Sequence, residues 1–446
     1  MRSLIARFAT GPAAPPMAGA SQVDALYRRH RFRVLVAITI GYAFAYTCRL
    51  TFSVVKKPLI DEGIFSPEDL GLIGSALFYT YAFGKLVNGF LADHANIKLF
   101  FATGVIASAL INVGMGFSTV LSLSVALWAL NGWFQGFGAP SGVVTLTAWF
   151  SNRERGRFYG IWSTAHSMGE GLTYYFVALF VIWLGWQAGF WVPGLICIVA
   201  GLCIYWLMQD RPQTLGLPTI ADWKNDHLAQ SAPPQASVLA IQFSILKIPA
   251  IWVLALASST MYVTRYAIAS WGILYLQEDR KYALDEASLF MAANTIAGIA
   301  GCLLFGYLSD KLFSARRPPA NCLFAVVELL GLLLIFFGPR SDAMLLLAFV
   351  LFGIGLNGLI TSLGGLFAVD IAPKKVAGAA MGLVGVFSYL GAAIQENISG
   401  SLIESNMRVI GDARVYDFGP AIWFWIGSSV VSMLLAATLW RVRLRD

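Results

Sequence analysis

Arg49 is a charged side chain in a stretch that is otherwise apolar enough to cross a bilayer. Among the residues from Tyr42 to Phe52 it alone carries a formal charge. A charge near the bilayer centre costs roughly 2.5–10 kcal/mol, so its presence indicates a function and a partner. Tyr42 and Tyr46 precede Arg49 by seven and three residues and lie on the same helical face. The alternative is a side chain that reaches the membrane interface or pairs with a nearby acid.

Further polar side chains occur at membrane depth in other apolar segments. The charged or titratable ones are Lys85, His166, Glu170, Arg265 and Glu396, and tyrosines at similar depth are Tyr81, Tyr262 and Tyr389. Two arginines with a lysine and a histidine make an anion site, and the paired donors of a guanidinium match the oxygen atoms of a phosphate group. A carboxylate is the competing ligand, since the same donors bind it.

The composition is that of a membrane protein. Of the 446 residues, 58% are hydrophobic and 12% are charged, against roughly 25% charged residues in a soluble domain. The formal net charge of +7 would suit nucleic-acid binding, but the basic residues lie in short loops between apolar segments, as in cytoplasmic loops of membrane proteins. The lipid bilayer is therefore an expected partner, and nucleic acid is not.

Motifs for catalysis and cofactor binding are absent from the sequence. It contains no P-loop, dinucleotide-binding fingerprint, metal-ligand cluster or nucleophile motif. The five cysteines lie in apolar segments without paired spacing, which indicates neither a metal site nor a disulfide framework. We therefore expect a protein that is not an enzyme or an ATP-driven pump and that has no metal and no cofactor.

Twelve apolar segments are long enough to span a bilayer, which takes about 20 residues. The predicted boundaries are a disordered cytoplasmic N-terminal tail (1–33), a six-helix bundle (34–208), a cytoplasmic linker (209–246), a second six-helix bundle (247–440) and a cytoplasmic tail (441–446). Ser66, Pro67 and Asp69 have the spacing of a helix cap and predict the start of the second helix.

Two short residue patterns of the first half recur in the second half with nearly the same offset. Tyr46 and Arg49 recur 216 residues later as Tyr262 and Arg265. Asp93, in a G-x-L-x-D motif, recurs 217 residues later as Asp310. The repeat indicates two homologous halves related by an axis along the membrane normal, with a substrate site near the midplane. The predicted fold class is an all-α integral membrane protein with twelve transmembrane helices in two pseudo-symmetric six-helix bundles.

Basic residues are concentrated in the loops on the side of the chain termini, as at Arg153, Arg155 and Arg157. Because positive charge marks the cytoplasmic side, both termini are predicted to be cytoplasmic in a multi-pass protein of the inner (cytoplasmic) membrane. Lys56 and Lys57, just after the first segment, are the exception.

Two motifs are specific enough to identify a family. One is Trp149-Phe150-Ser151 with Glu154-Arg155-Gly156, and the other is Asp210-Arg211-Pro212 with Gly216-Leu217-Pro218. Further matches lie at 41–52, 69–71, 131–136, 165–166 and 309–313. Through these motifs the sequence, from about residue 22 to its last helix, resembles the major facilitator superfamily. Within it, the sequence resembles the organophosphate:phosphate antiporter family, and especially its hexose-phosphate transporter and sensor branch.

The resemblance implies roles for individual residues. Arg49 and Arg265 match the family's two phosphate-binding arginines, and Lys85 and His166 match auxiliary cations of its cavity. The matching cavity aromatics are Tyr42, Tyr46, Tyr81, Trp162, Tyr262 and Tyr389. The matching gating loops contain Asp93, Arg153, Arg155, Arg157 and Asp310, and their aspartates would accept hydrogen bonds from helix termini and arginines.

The sequence also departs from the family pattern. Leu50 stands where the family commonly has lysine, and Ala139 and Ser163 stand where larger side chains occur, which predicts a wider cavity. Glu170 stands where glycine is common. A buried carboxylate is normally protonated or paired, so Glu170 and Glu396 each either cancel part of the cationic field or provide a site for proton coupling. The alternative is that both face water-filled vestibules.

Together, the residues and the resemblance imply a monomeric transporter that exchanges a small organophosphate, with a sugar phosphate favoured, for inorganic phosphate. The implied mechanism is rocker-switch alternating access, in which a bound anion neutralises the arginines and lets the halves close. Two alternatives remain open. One is a proton-coupled carrier of another organic anion. The other is a non-transporting sugar-phosphate sensor that signals through a partner protein.

Overall fold

Helices account for most of the described chain, as the apolar segments predict. The computed structural model describes residues 8–17, 19–226, 244–313, 316–371, 377–410 and 413–441. The helices of the first half are α1 (Ala20–Asp61), α2 (Pro67–His94), α3 (Ile97–Met115), α4 (Leu121–Gln135), α5 (Gly138–Trp149), α6 (Asn152–Leu184) and α7 (Trp186–Leu207). A 3-10 turn (Pro212–Leu215) and the short helix α8 (Ile220–Lys224) follow in the linker, of which residues 227–243 lie outside the described ranges.

The second half repeats this order after a 3-10 turn at Ser244–Lys247. Its helices are α9 (Pro249–Tyr266), α10 (Gly272–Glu278), α11 (Leu284–Lys311), α12 (Arg317–Phe337), α13 (Asp342–Thr361), α14 (Phe367–Ile371), α15 (Ala377–Ser405) and α16 (Gly419–Thr438). π-Helical turns at Ala267–Trp271 and Ser362–Leu366 join α9 to α10 and α13 to α14. An antiparallel hairpin of β1 (Met407–Ile410) and β2 (Ala413–Tyr416) pairs Met407 with Tyr416.

The predicted fold class is confirmed. Within the described ranges, ten helices are long and apolar enough to cross a membrane. The two remaining spans are divided helices: α4 and α5 form the fourth span around Gly136, and α9 and α10 form the seventh around its π-helical turn. The described residues therefore form twelve transmembrane spans in two bundles of six. We call the membrane side of the chain termini the terminal side, and the other the opposite side.

The predicted cap at the start of α2 is confirmed. The Ser66 hydroxyl accepts a hydrogen bond from the Asp69 backbone N–H at 3.2 Å, and the Asp69 carboxylate accepts one from the Ser66 N–H at 3.0 Å. Pro67 occupies the first helical position, where no backbone donor is needed. These contacts satisfy donors that the end of a helix otherwise leaves free.

The first helix begins earlier than predicted, at Ala20 rather than near residue 34. Tertiary contacts account for the difference. Tyr27 is fully buried and stacks on Trp223 with ring centroids 4.2 Å apart. Arg31 pairs with Glu154 at 2.5 Å. The arginines of 28–33 gave this stretch the composition of a tail, but contacts with the linker and with α6 hold it as a helix, so the prediction of a disordered tail up to residue 33 is wrong for residues 20–33.

The two halves pack together mainly toward the opposite side. One buried apolar cluster contains residues of both halves. Its first-half members include Phe65 in the loop after α1, and Leu70 and Trp186 near the opposite ends of their helices. A second cluster contains residues of the first half and the linker, including Tyr27, Ile97 and Trp149 toward the terminal side. The described conformation is therefore closed on the opposite side.

A buried ion pair joins the halves at this closed end. The Lys56 Nζ on α1 lies 3.0 Å from Glu396 Oε2 on α15, and neither side chain is exposed. Lys56 Nζ also donates to Ser270 Oγ at 2.8 Å and lies 3.3 Å from the ring centroid of Trp271, both in the π-helical turn. Lys57 pairs with Glu278 across the halves nearby. Lys56, placed by sequence just after the first span, thus lies inside the protein.

We predict that Gly71→Val destabilises the described conformation. An added Cβ at Gly71 would lie 2.5 Å from the Glu396 backbone oxygen, so α2 and α15 would have to separate. Overpacking of this kind costs about 1–3 kcal/mol. The measurement is the melting temperature of the detergent-purified protein. Gly89→Val is the matched control, because an added Cβ at Gly89 on the same helix meets nothing within 4 Å. Equal melting temperatures for the two variants would contradict the prediction.

We also predict that Lys56→Met and Glu396→Met are each strongly destabilising and that the double variant is not. Removing one partner leaves the other charge buried and unpaired, which costs about 3–5 kcal/mol, whereas removing both is often neutral. Lys57→Met is the control, because the Lys57 side chain is 27% exposed and partly exposed pairs contribute about 0–1 kcal/mol. Thermal unfolding of the four variants measures the coupling. Additive losses in the double variant would show that the pair does not act as a unit.

Candidate substrate-binding site

Arg49 is buried between aromatic rings in the C-terminal half of α1. Its guanidinium carbon lies 4.8 Å from the ring centroid of Tyr46 and 4.1 Å from that of Tyr81 on α2. The side chain is 4% exposed, and none of its three guanidinium nitrogen atoms has a hydrogen-bond partner. The aromatic faces stabilise the cation, but five N–H donors stay available for an anion.

Arg265, at the equivalent position in α9, has different surroundings. Its Nη1 lies 3.4 Å from the Tyr262 hydroxyl oxygen, and its Nη2 lies 3.9 Å from Glu170 Oε2 on α6. The rings of Tyr262 and Tyr266 are each 5.3 Å from its guanidinium carbon. Because Glu170 is the nearby acid, one arginine of the symmetric pair has a carboxylate neighbour in the protein and the other does not.

Tyr389 on α15 connects the surroundings of the two arginines. Its ring centroid lies 4.4 Å from that of Tyr81 and 5.3 Å from that of Tyr262. Tyr81 contacts Arg49, and Tyr262 contacts Arg265, so the three tyrosines form a continuous aromatic path between them. The Nζ of Lys85 lies 5.5 Å from the Tyr389 ring and adds a third cation at the edge of this group. The structure thus brings these six sequence-predicted residues together.

Three further predicted residues, Tyr42, Trp162 and His166, lie around Tyr46 beside Arg49. Tyr42 lies 5.3 Å from Trp162 between ring centroids, and Tyr46 lies 6.0 Å from His166. Trp162 and His166 are on α6. The indole N–H of Trp162 is buried without a partner, so it is a free donor. The His166 Nδ1 contacts the Ser163 carbonyl of its own helix, which leaves Nε2 to face other groups.

Glu396 does not contact either arginine, although the sequence suggested it as a coupling group together with Glu170. Its carboxylate is paired with Lys56 instead, and neither glutamate lies in an open vestibule. A small cavity lined by Arg49, Ser53, Tyr266, Ser270 and Glu396 nevertheless separates this ion pair from the arginine. Lys56 could have been found from its spacing, because it follows Arg49 by seven residues, or two helical turns, on one face.

The predicted gating residues have mixed surroundings on the terminal side. Asp310 accepts a hydrogen bond from Arg317 Nη1 at 2.9 Å, and the same arginine donates from Nε to Asp370 at 2.8 Å. In the first half, Arg211 donates to the backbone carbonyl of Asp93 at 2.6 Å. Arginine contacts to an aspartate were expected in both halves, and the structure supports them for Asp310.

The expected contacts from the arginine cluster to Asp93 are wrong for Arg153 and Arg155. Arg153 pairs with Asp226, at 3.5 Å between Nε and Oδ1. Arg155 donates to the carbonyl groups of Phe150 and Thr147 at the end of α5, which have no partner within their own helix. Arg157 is exposed and lies 6.0 Å from the Phe158 ring.

Other polar residues near Arg265 were not predicted. Asn294 and Thr295 on α11 and Asn357 on α13 line a small cavity that also contains Glu170 and Arg265. Uncharged amides within apolar helices give a weak sequence signal, because they resemble the amides that join helices by hydrogen bonds. Asn112 and Asn131 are amides that join helices, since both donate to the Cys48 carbonyl, at 2.8 and 2.9 Å.

The site therefore combines cations from both halves with a wall of aromatic rings and one acid. Arg49 and Lys85 belong to the first half and Arg265 to the second. An anion held between the arginines would bridge the halves, whereas a neutral or cationic ligand would leave the Arg49 donors without partners. Since a buried unpaired charge is costly, the geometry is suited to binding an oxyanion.

Comparison with known proteins agrees with this architecture. The family model described as Major Facilitator Superfamily matches residues 37–395. The fold resembles a solved bacterial homologue of the human lysosomal transporter Spinster in an inward-facing and unoccupied conformation. The TM-score is 0.75 at 15% identity, over 94% of this chain and 99% of that one.

Sequence relatives identify the family within this superfamily. The membrane sensor protein UhpC of Salmonella typhimurium is 35% identical over 435 residues, covering 96% of this chain and 94% of the relative. A probable hexose phosphate transport protein of Chlamydia muridarum is 35% identical over 82% of this chain and 84% of its own. The glycerol-3-phosphate transporter of Bacillus subtilis is 31% identical over 94% of both chains. The chain belongs to the major facilitator superfamily and, within it, to the organophosphate:phosphate antiporter family.

Proposed function

We propose that this membrane protein exchanges a small organophosphate, with a sugar phosphate favoured, for inorganic phosphate. The observation that carries the proposal is the buried guanidinium of Arg49, whose nitrogen atoms all lack hydrogen-bond partners. Its paired N–H donors match the oxygen atoms of a phosphate group. Relatives named as hexose phosphate and glycerol-3-phosphate transporters support a phosphate ester as the ligand.

The charges around the site favour a phosphate group over a single carboxylate. Arg49, Arg265 and Lys85 are cationic, and Glu170 offsets one positive charge through its position beside Arg265. A phosphate ester carries about −1.5 to −2 at neutral pH, which is close to the charge that remains. A carboxylate would leave about one positive charge in a site of low dielectric constant.

Exchange follows from the division of the cations between the halves. Without an anion, Arg49 and Arg265 repel each other and resist closure of the halves around the site. A phosphate or a phosphate ester bridges them, so that either anion permits the halves to rock about the site. The Lys56–Glu396 pair holds the opposite side closed in the described conformation and must separate when that side opens.

We assign the terminal side to the cytoplasm, because the basic clusters lie there, including Arg153, Arg155 and Arg157. In this orientation the described conformation is closed to the outside, and a ligand would enter from the cytoplasm. The membrane is the inner (cytoplasmic) membrane.

A membrane sensor is the second candidate function. It is favoured by one observation, the 35% identity to a membrane sensor protein over nearly the whole chain. The same anion site would serve either function, since both require binding, and only flux separates them. A sensor would also require a cytoplasmic partner protein.

The exchange proposal predicts that both arginines are needed. Phosphate-loaded proteoliposomes that contain the wild-type protein should take up radiolabelled glucose 6-phosphate. Arg49→Lys and Arg265→Lys should each lower the uptake rate at least about tenfold, because lysine lacks the paired donors. Arg340→Lys is the matched control, since Arg340 is exposed on the opposite side and its variant should transport normally.

Other outcomes would favour different functions. Absence of exchange with every phosphate ester tested would refute the antiporter. Uptake that follows an imposed pH gradient and is lost in Glu170→Gln would indicate proton coupling. Binding without flux, together with a cytoplasmic partner recovered by pull-down, would indicate a sensor.

A further inference from the structure

A small polar cavity lies beside Arg265, away from Arg49. Its polar lining consists of Arg265 itself, Glu170 on α6, Asn294 and Thr295 on α11 and Asn357 on α13, and Ala269 and Leu356 complete it. It is about the size of one water molecule, which suits a small polar group. Because α6 belongs to the first half and the other helices to the second, a group bound here would contact both halves.

Asn294 presents an unused acceptor to this region. The residue is only 6% exposed, and its side-chain Oδ1 has no hydrogen-bond partner. An acceptor buried without a partner is unfavourable, so a ligand donor would be favoured there. Gly353 lets α13 pack closely against Asn294, since an added Cβ at Gly353 would lie 2.2 Å from the Asn294 backbone oxygen and 2.9 Å from Oδ1.

Glu170 contributes a second acceptor that is only weakly engaged. Its Oε1 receives the Tyr174 hydroxyl at 3.5 Å, and its Oε2 is 3.9 Å from the Arg265 Nη2, beyond hydrogen-bond distance. A carboxylate accepts several hydrogen bonds. Asn357 adds a donor, because its Nδ2 uses one hydrogen on the Gly353 carbonyl at 3.1 Å and has another.

Two acceptors and a donor around a small cavity suit hydroxyl groups, which both donate and accept. An apolar group would leave these side chains unsatisfied, and a second anionic group would be repelled by Glu170 once the phosphate group has engaged Arg265. The cavity adjoins Arg265, so a hydroxyl near the phosphate group of a bound ester would be within reach of it.

We propose that Glu170, Asn294 and Asn357 form the subsite that recognises hydroxyl groups on the organic part of the ligand. The proposal rests on the proposed binding of a phosphate ester between Arg49 and Arg265. A ligand hydroxyl in the cavity donates to Glu170 or to Asn294 Oδ1 and accepts from Asn357 Nδ2. The subsite thereby selects polyhydroxylated phosphate esters, such as sugar phosphates, over esters that carry a carboxylate.

The test is equilibrium binding to purified protein, which does not depend on exchange. Titration calorimetry compares glucose 6-phosphate, 3-phosphoglycerate and inorganic phosphate. In Asn294→Ala, the affinity for glucose 6-phosphate relative to inorganic phosphate should fall about tenfold, the effect of one lost hydrogen bond. In Glu170→Gln, the affinity for 3-phosphoglycerate relative to glucose 6-phosphate should rise about tenfold, because a repulsive charge is removed.

Asn321→Ala is the matched control. Asn321 is a fully buried amide on α12 whose two side-chain polar atoms also lack partners, but it does not line the cavity. The affinity ratios of this variant should equal those of the wild type. Should Asn294→Ala fail to fold, Asn357→Ala, which truncates a half-buried side chain, should show the same fall in the glucose 6-phosphate ratio.

Two outcomes would overturn the subsite. One is unchanged ratios in Glu170→Gln and in a folded asparagine variant. The other is a wild-type protein that binds phosphate but does not prefer glucose 6-phosphate over 3-phosphoglycerate, a result that leaves phosphate exchange standing. Conversely, wild-type protein that binds glucose 6-phosphate with the expected ratios but never exchanges it supports the subsite and refutes the antiporter.

Discussion

A guanidinium group buried without an anion is the constraint on which the arrangement of this protein depends. Arg49 is held inside the bundle by the faces of Tyr46 and Tyr81, at 4.8 and 4.1 Å, which stabilise a cation without neutralising it. A carboxylate in contact with Arg49 would make the site more stable and less able to bind a ligand. The aromatic surroundings thus reconcile burial of the charge with availability of its donors.

The two halves place a tyrosine and an arginine at equivalent positions, but the surroundings of the two arginines differ. Tyr46 and Tyr262 occupy equivalent positions next to Arg49 and Arg265, yet only Arg265 has an acid, Glu170, within 4 Å. The acid comes from the other half, so it also joins the halves at mid-depth. Symmetry places the two cations, and the departure from symmetry creates distinct environments for two parts of one ligand.

The sequence predicted those features that depend on local pattern or on the internal repeat. The twelve spans follow from the lengths of apolar segments, the start of α2 follows from Ser66 and Asp69, and the equivalence of Arg49 and Arg265 follows from their constant offset. Each signal lies within one or two short stretches. Such features need no knowledge of how the helices pack.

Features that depend on packing were not predictable in this way. Lys56 and Glu396 are 340 residues apart, and neither sequence context identifies the other as a partner. The first turns of α1 have a polar composition that predicts disorder. They are ordered because Tyr27 contacts the linker and Arg31 contacts α6. The side-chain oxygens of Asn294 and Asn112 both lack a partner, but the Asn112 amide donates to the Cys48 carbonyl, whereas Asn294 lines the cavity beside Arg265. That difference depends on the neighbouring helices.

Because α1 carries both Arg49 and Lys56, the anion site and the closure of the opposite side share one helix. The two residues are two turns apart, or about 10 Å along its axis. Thermodynamic linkage then applies: if an anion favours the closed arrangement, closure must favour the anion by the same factor. The buried ion pair thereby affects the apparent affinity for the anion without contacting the anion. It sets the fraction of molecules that are in the closed arrangement before the anion binds.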